Sequence, residues 1–328
     1  MTIPINFEIE DRLINNSISR LVINNMPFKV TKSLILKFII PLTIPQKRMK
    51  NLENHIANYY RIIYPKSDKS FLYKKATIYT NNYKSKRCDD YILFNLNYQN
   101  TLKYVDKYVI IQGISHLQQA IAYNRGIIAV GSHVGSQVLG FFALMVILHR
   151  LHTDKKRIVK IVSAPDIKEF KNIFSRLKYW NKNNVFDFEF IWTENRKYIE
   201  AIKFFEALKK KCILTTNLDV LAGGNSQKKF KLLNTFHIRL PAIIGAAKLA
   251  LLTDSIILPW HNYVDKNGIL NLVIEEQLNP ACTRKTQSVD FKQNVVNLSN
   301  TLFKLLENWV QEYPEQWIYW DRLDELTN

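Results

Sequence analysis

Residues Ile127–Arg150 read IIAVGSHVGSQVLGFFALMVILHR. The first five residues are an apolar run without alternation, the pattern of a strand buried on both faces. GSQVLGFFALMVILHRL then continues as an apolar helix, so His133 stands where strand becomes helix, flanked by Gly131 and Gly135. Upstream, YVIIQG (residues 108–113) is a strand and ISHLQQAIAYNRG a helix closed by Gly126, which completes a βαβ unit.

The alternation continues downstream. RIVKIVS (157–163) is a strand, and DIKEFKNIFSRLKYW is a helix with Asp166 at its N-cap. FEFIW (188–192), a helix over NRKYIEAIKFFEALKKK, and the strand CILTTNL (212–218) repeat the pattern. PAIIGAAKLALLT predicts a helix that starts with Pro241, a favoured first position. SIILPWHNYV and ILNLVIEE flank the turn Asp265 to Gly268 as a hairpin, and a long amphipathic helix ends at Pro314. Strands alternating with helices of this length predict an α/β fold, with a mostly parallel central sheet flanked by helices on both faces. Residues 1–105 lack that alternation and form an N-terminal helical extension packed on the core, which leaves 106–328 as the α/β domain.

Composition narrows the function classes. Of 328 residues, 47% are hydrophobic and 12% aromatic, which supports a large core and excludes disorder along most of the chain. The formal charge of +18 points to an anionic partner (a phospholipid surface, nucleic acid, acyl carrier protein or coenzyme A) or to an ordinary solvated surface. Cys88, Cys212 and Cys282 have neither metal-ligand nor disulfide-framework spacing, and the start MTIPINFEIEDR has no signal-peptide core, so a cytoplasmic location is expected. Leu34 to Pro45 is apolar but too short to span a bilayer. It lies in a membrane interface or packs on the core, and the sequence leaves both open.

In open α/β sheets, reactive groups collect where strands end and helices begin. A neutral imidazole at His133 is placed to take a proton from an attacking hydroxyl or amine, and backbone N–H groups near Gly135 and Ser136 to stabilise an oxyanion. The plainer role, a polar residue at a strand end that adds little to the core, stands beside it. His149 and His152 lack partners to complete a metal site, and His237 and His261 read as ordinary hydrogen-bonded residues, so no metal is assigned. Gly223 and Gly224 form neither a P-loop nor a dinucleotide fingerprint.

NRGIIAVGSHVGSQVLG resembles the first motif of the lysophospholipid acyltransferase superfamily, in particular its lipid A late acyltransferase branch. Five further blocks follow the same order over roughly residues 50–325: KNLENHIANYYRIIYP, GISHLQQAIAYNRG, NRKYIEAIKFFEALKKKCILTTNLD, KLLNTFHIRLPAIIGAAKLALLTDSIILPW and YPEQWIYWDR. The resemblance implies an acyltransferase with His133 as general base and no cofactor beyond its acyl-CoA or acyl carrier protein donor. The family pattern is HxxxxD/E, and this chain has Val138 where the acid belongs. Valine cannot orient an imidazole, so Gln137, or Asp219 at the end of a neighbouring strand, is the substitute. The resemblance also suggests Arg196 as a phosphate contact, and Lys228 and Lys229 follow Asp219 in a loop that could add to it, although ordinary surface charge is the better reading of each; LGFFALMVILH is an acyl-chain wall or plain core helix.

The expected partners are an acyl thioester donor, including an acidic carrier protein, and a small-molecule, peptide or lipid acceptor. Peripheral contact with the inner membrane is left open. No nucleic acid is expected, because no helix-turn-helix, RNP or zinc-finger signature occurs. An altered acyltransferase fold acting on a peptide or polyketide product, and a basic nucleic-acid or membrane-surface binding protein, are the alternatives.

Overall fold

In the computed structural model, Ile127–Gly131 is a strand with every residue buried, as its unbroken apolar run requires. The structure describes residues 17–151, 159–163, 188–192, 198–219, 230–233, 238–241, 244–280 and 289–322. Nine strands lie among them. They are β1 (Val109–Gln112), β2 (Ile127–Gly131), β3 (Val159–Ser163), β4 (Phe188–Trp192), β5 (Ile213–Asn217), β6 (Phe230–Leu233), β7 (Ile238–Pro241), β8 (Ile256–Val264) and β9 (Leu270–Ile274).

Seven strands form one sheet in the order β1-β9-β8-β2-β5-β3-β4, parallel at every junction except the β8–β9 hairpin. That hairpin turns at Asp265–Gly268, where Asp265 Oδ1 accepts from the N–H groups of Asn267 and Ile269. β6 and β7 make a separate antiparallel pair.

The helices are α1 (Ser17–Asn25), α2 (Phe28–Leu34), α3 (Ile40–Thr43), α4 (Gln46–Ile63), α5 (Lys69–Asn95), α6 (Tyr98–Tyr108), α7 (Ile114–Ala122), α8 (Gln137–Leu151), α9 (Tyr198–Lys209), α10 (Gly245–Thr253) and α11 (Val289–Glu312). α8 packs on β8 and β9 with α5 and α6 behind it. α10 packs on β2 and β8 with α11 behind it, so helices cover both faces of the sheet. The N-terminal helices share their buried side chains with the sheet: one cluster runs from Ile23 through Tyr60, Phe142 and Ile257 to Trp320. Asp89 fastens this region, accepting from Lys32 Nζ at 2.8 Å and from Tyr104 Oη at 2.7 Å.

Two boundaries differ from the sequence reading. Gly126 does not close α7. Asn124 makes the left-handed turn, at φ 54°, a conformation asparagine tolerates better than most residues. Gly126 instead permits close approach, because a Cβ there would lie 2.5 Å from the carbonyl oxygen of Leu208. Pro241 does not begin α10; it ends β7 opposite Phe230, and the helix starts at Gly245. Proline holds the residue before it extended, which suits Leu240 as a strand residue. The Asp166 helix lies outside the described residues.

Candidate active site

The sheet register builds the site. β2 and β5 run parallel with Gly131 opposite Asn217, and Leu218 N–H donates to the Gly131 carbonyl at 2.8 Å. Two residues beyond that pair, His133 and Asp219 face each other. His133 Nδ1 lies 2.7 Å from Asp219 Oδ1, and the His133 backbone N–H donates to Oδ2 at 2.9 Å. The Asp219 side chain is fully buried, so each of these donors replaces a lost water. An acceptor at Nδ1 fixes the proton on that nitrogen and leaves the lone pair on Nε2. Asn217 Nδ2 and Tyr319 Oη lie 3.4 Å from Nε2, at the outer limit of hydrogen bonding, and the Tyr319 ring meets the imidazole edge-on.

The C-terminal segment straps this loop in place. Gly135 N–H donates to the Gln316 carbonyl and Ile318 N–H to the His133 carbonyl, while Val134 bridges Trp317. Trp317 is fully buried, and its Nε1–H donates to Asp219 Oδ2 at 2.9 Å. The side-chain amide of Gln316 makes two bonds of 2.8 Å to the backbone of Val264, at the end of β8. Tyr79 and Asn82 of α5 hold the strap from the other side, through the carbonyls of Ile318 and Glu315. Lys75 pairs with the Glu315 carboxylate.

Of the residues singled out in the sequence, the structure brings together His133, Asp219, Gly135 and Ser136. Asp219 is the carboxylate that reaches the imidazole, while Val138 packs half-buried against the core. Gln137 does not orient the ring: Nδ1 belongs to Asp219, and Nε2 faces Asn217 and Tyr319. Gly135 offers no free oxyanion donor, because its N–H is bound to Gln316. Ser136 Oγ is buried with no hydrogen-bond partner among the described residues. His133 is also the Nδ1 partner of the fully buried Asp219 carboxylate, so a substitution that spares the fold has to keep a donor to it. The apolar residues of α8 from Phe142 to Leu148 are buried in the main cluster, as plain core packing requires. Arg196, Lys228, Lys229, Gly223, Gly224, His152, His237 and Cys282 lie outside the described residues.

Asn217, Trp317 and Tyr319 were not foreseen. Asn217 had a usable signal, as the last residue of the strand that carries Asp219. The two aromatics sit 98 and 186 positions from their partners, and no local pattern links them.

Beside the loop lies a small, solvent-open cleft of about 30 Å³, between Tyr79, Asn82 and Lys86 of α5 and Gly135, Ser136 and Gln316. The imidazole does not line this cleft, and 11% of its side chain is exposed. Burial pushes the Cys88 thiol far above its ordinary range, where it is no nucleophile. His261 lies 3.1 Å from Glu275, and His149 meets Tyr98 edge-on at the exposed end of α8. Among the described residues no group of three His, Cys, Asp or Glu side chains is placed to hold a metal ion. No protein-family model matches the sequence, and no curated protein matches it.

Proposed function

We propose that this chain is an acyltransferase that moves an acyl group from a thioester of coenzyme A or acyl carrier protein to a hydroxyl or amine acceptor. The observation that carries the reading is the His133–Asp219 pair: a buried carboxylate 2.7 Å from Nδ1 favours the tautomer whose lone pair is on Nε2, beside Asn217 and Tyr319. Nε2 takes the acceptor proton as the acceptor attacks the thioester carbonyl. The tetrahedral oxyanion then collapses, the C–S bond breaks, and the imidazolium returns the proton to the departing thiolate. Ser136, buried, lining the cleft and without a hydrogen-bond partner among the described residues, is the hydroxyl suited to the oxyanion. The 3.4 Å contacts from Asn217 and Tyr319 to Nε2 are weak enough for an acceptor to displace.

One observation favours a second reading, in which the pair is a structural fastening on a fold without catalysis: the cleft is lined by Gly135 and Ser136 rather than by the imidazole. The test is thiol release from a panel of acyl-CoA and acyl carrier protein donors, with mass spectrometry of the acylated product. Turnover lost in His133→Gln, with the unfolding midpoint retained within a few degrees, supports the base. Native turnover in that variant, or no release from any donor, sinks the acyltransferase reading.

A further inference from the structure

We propose that the outer face of α2, α3 and the turn between them docks on an anionic phospholipid bilayer. Residues 17–52 carry seven basic side chains (Arg20, Lys29, Lys32, Lys37, Lys47, Arg48 and Lys50) and no aspartate or glutamate. Through the same stretch, Val30, Leu34, Phe38 and Leu42 are exposed, Phe38 by 55% and Leu42 by 65%. Ile18, Leu21 and Val22 of α1 add to them. Of the sixteen large hydrophobic side chains exposed among the described residues, seven therefore lie within residues 18–42.

The backbone aligns that stripe. In an α-helix a four-residue step overshoots one turn by about 40°, so positions 30, 34, 38 and 42 would spiral around the axis. Residues Ile35–Ile39 instead form a single π-helical turn, closed by the Ile40 N–H on the Ile35 carbonyl. Its wider turn takes back part of the overshoot. The inner face, Thr31, Ile35, Ile40 and Ile44, is buried against the body. The segment therefore has one side in the core and one apolar side turned out.

An exposed apolar stripe with exposed Lys29 and Lys37 beside it suits a lipid interface, where leucine and phenylalanine enter the acyl boundary and lysines reach the phosphates. A second copy of the chain is a poorer occupant, because two such faces would bring cations against cations without an acid to pair them. No described helix is long and apolar enough to cross a membrane, so the contact is peripheral. The stripe and the cleft share α5: the Lys32 carbonyl accepts from Cys88 Sγ, and Lys32 Nζ pairs with Asp89, within one turn of Lys86 at the cleft. Delivery of a lipid-borne acceptor or donor along that helix rests on the acyl-transfer reading. The docking does not.

The experiment is flotation of the full chain with phosphatidylcholine vesicles, with and without phosphatidylglycerol. Binding is expected only to the anionic vesicles, weakened about fivefold for each of Lys29→Ala and Lys37→Ala, and more at high salt. Leu34→Glu with Phe38→Glu should abolish it while the circular dichroism spectrum and unfolding midpoint hold, since both side chains are exposed. Undiminished binding by that double variant, equal binding to neutral vesicles, or a stripe occupied instead by a second copy or an acidic protein overturns the proposal. Thiol release in solution reads the acyl-transfer proposal independently, so either can fail alone.

Discussion

Asp219 Oδ1 and His133 Nδ1 are 86 positions apart in sequence and 2.7 Å apart in space, because β2 and β5 run parallel in a register that pairs Gly131 with Asn217. The acid reaches the imidazole from a neighbouring strand rather than from the helix that follows it. Asp219→Asn keeps the volume but replaces a carboxylate oxygen with an amide that accepts less strongly and reverses the preferred tautomer. A fall of about 10² to 10⁴ in acyl-transfer rate is expected. His133→Gln combined with Asp219→Asn should be no slower than the slower single variant, because the two act as one unit. Initial rates of thiol release decide it; an Asp219→Asn protein within twofold of the native rate would show that the carboxylate orients nothing.

Trp317 holds the other oxygen of the same carboxylate. Trp317→Phe removes the 2.9 Å bond to Oδ2 and leaves space where a fully buried indole stood. A loss of about 2–4 kcal/mol in urea unfolding is expected from the cavity and the missing donor together. Turnover should fall less than in Asp219→Asn, since the Nδ1 contact remains. A variant as stable as the native protein would mean that water replaces the indole without penalty.

The fold was readable wherever the pattern was local. Ile127–Gly131 declares a doubly buried strand by having no alternation, and the hairpin is announced by Asp265 and Gly268. Pro241 was misplaced because proline suits a strand end and a first helical turn equally well, and only the pairing with Phe230 chooses between them. His133 and Asp219 were legible because both follow strands predicted to be neighbours. Trp317 and Tyr319 were not, since their roles arise from a C-terminal strap whose path depends on Tyr79, Asn82 and Gln316 together. The exposure of Phe38 was equally hidden: an apolar run does not say which of its sides meets the core.

Gly135 takes φ +71°, and a Cβ on it would lie 2.3 Å from Asn262 Oδ1 and 2.4 Å from the Asn262 carbonyl oxygen. Gly268 has nearly the same backbone, φ +76°, with nothing within 4 Å. Gly268→Ala should therefore lose only the left-handed penalty of about 1–2 kcal/mol. Gly135→Ala adds a collision with rigid backbone and should lose more than about 3 kcal/mol. Chemical denaturation of the two variants side by side separates conformation from crowding, and equal losses would show that Asn262 yields.

Glu275 offers a test by pH. The His261 ring, 3.1 Å away, is the chief influence that holds its carboxyl below the ordinary 4.5, joined by the Trp309 Nε1–H at 3.1 Å and opposed by partial burial. A carboxylate whose folded value is depressed adds stability above its unfolded value and loses it as pH falls through the folded one. Glu275→Gln should then be about 1 kcal/mol less stable at pH 7, a modest figure because about a third of the side chain is open to solvent screening. The gap between the two proteins should close as pH drops below about 4.5, where the native carboxyl becomes protonated and resembles the neutral amide. Urea midpoints measured from pH 7 down to the acid limit of folding check it. A gap that stays constant or widens on acidification would mean that His261 and Trp309 do not favour the ionised form.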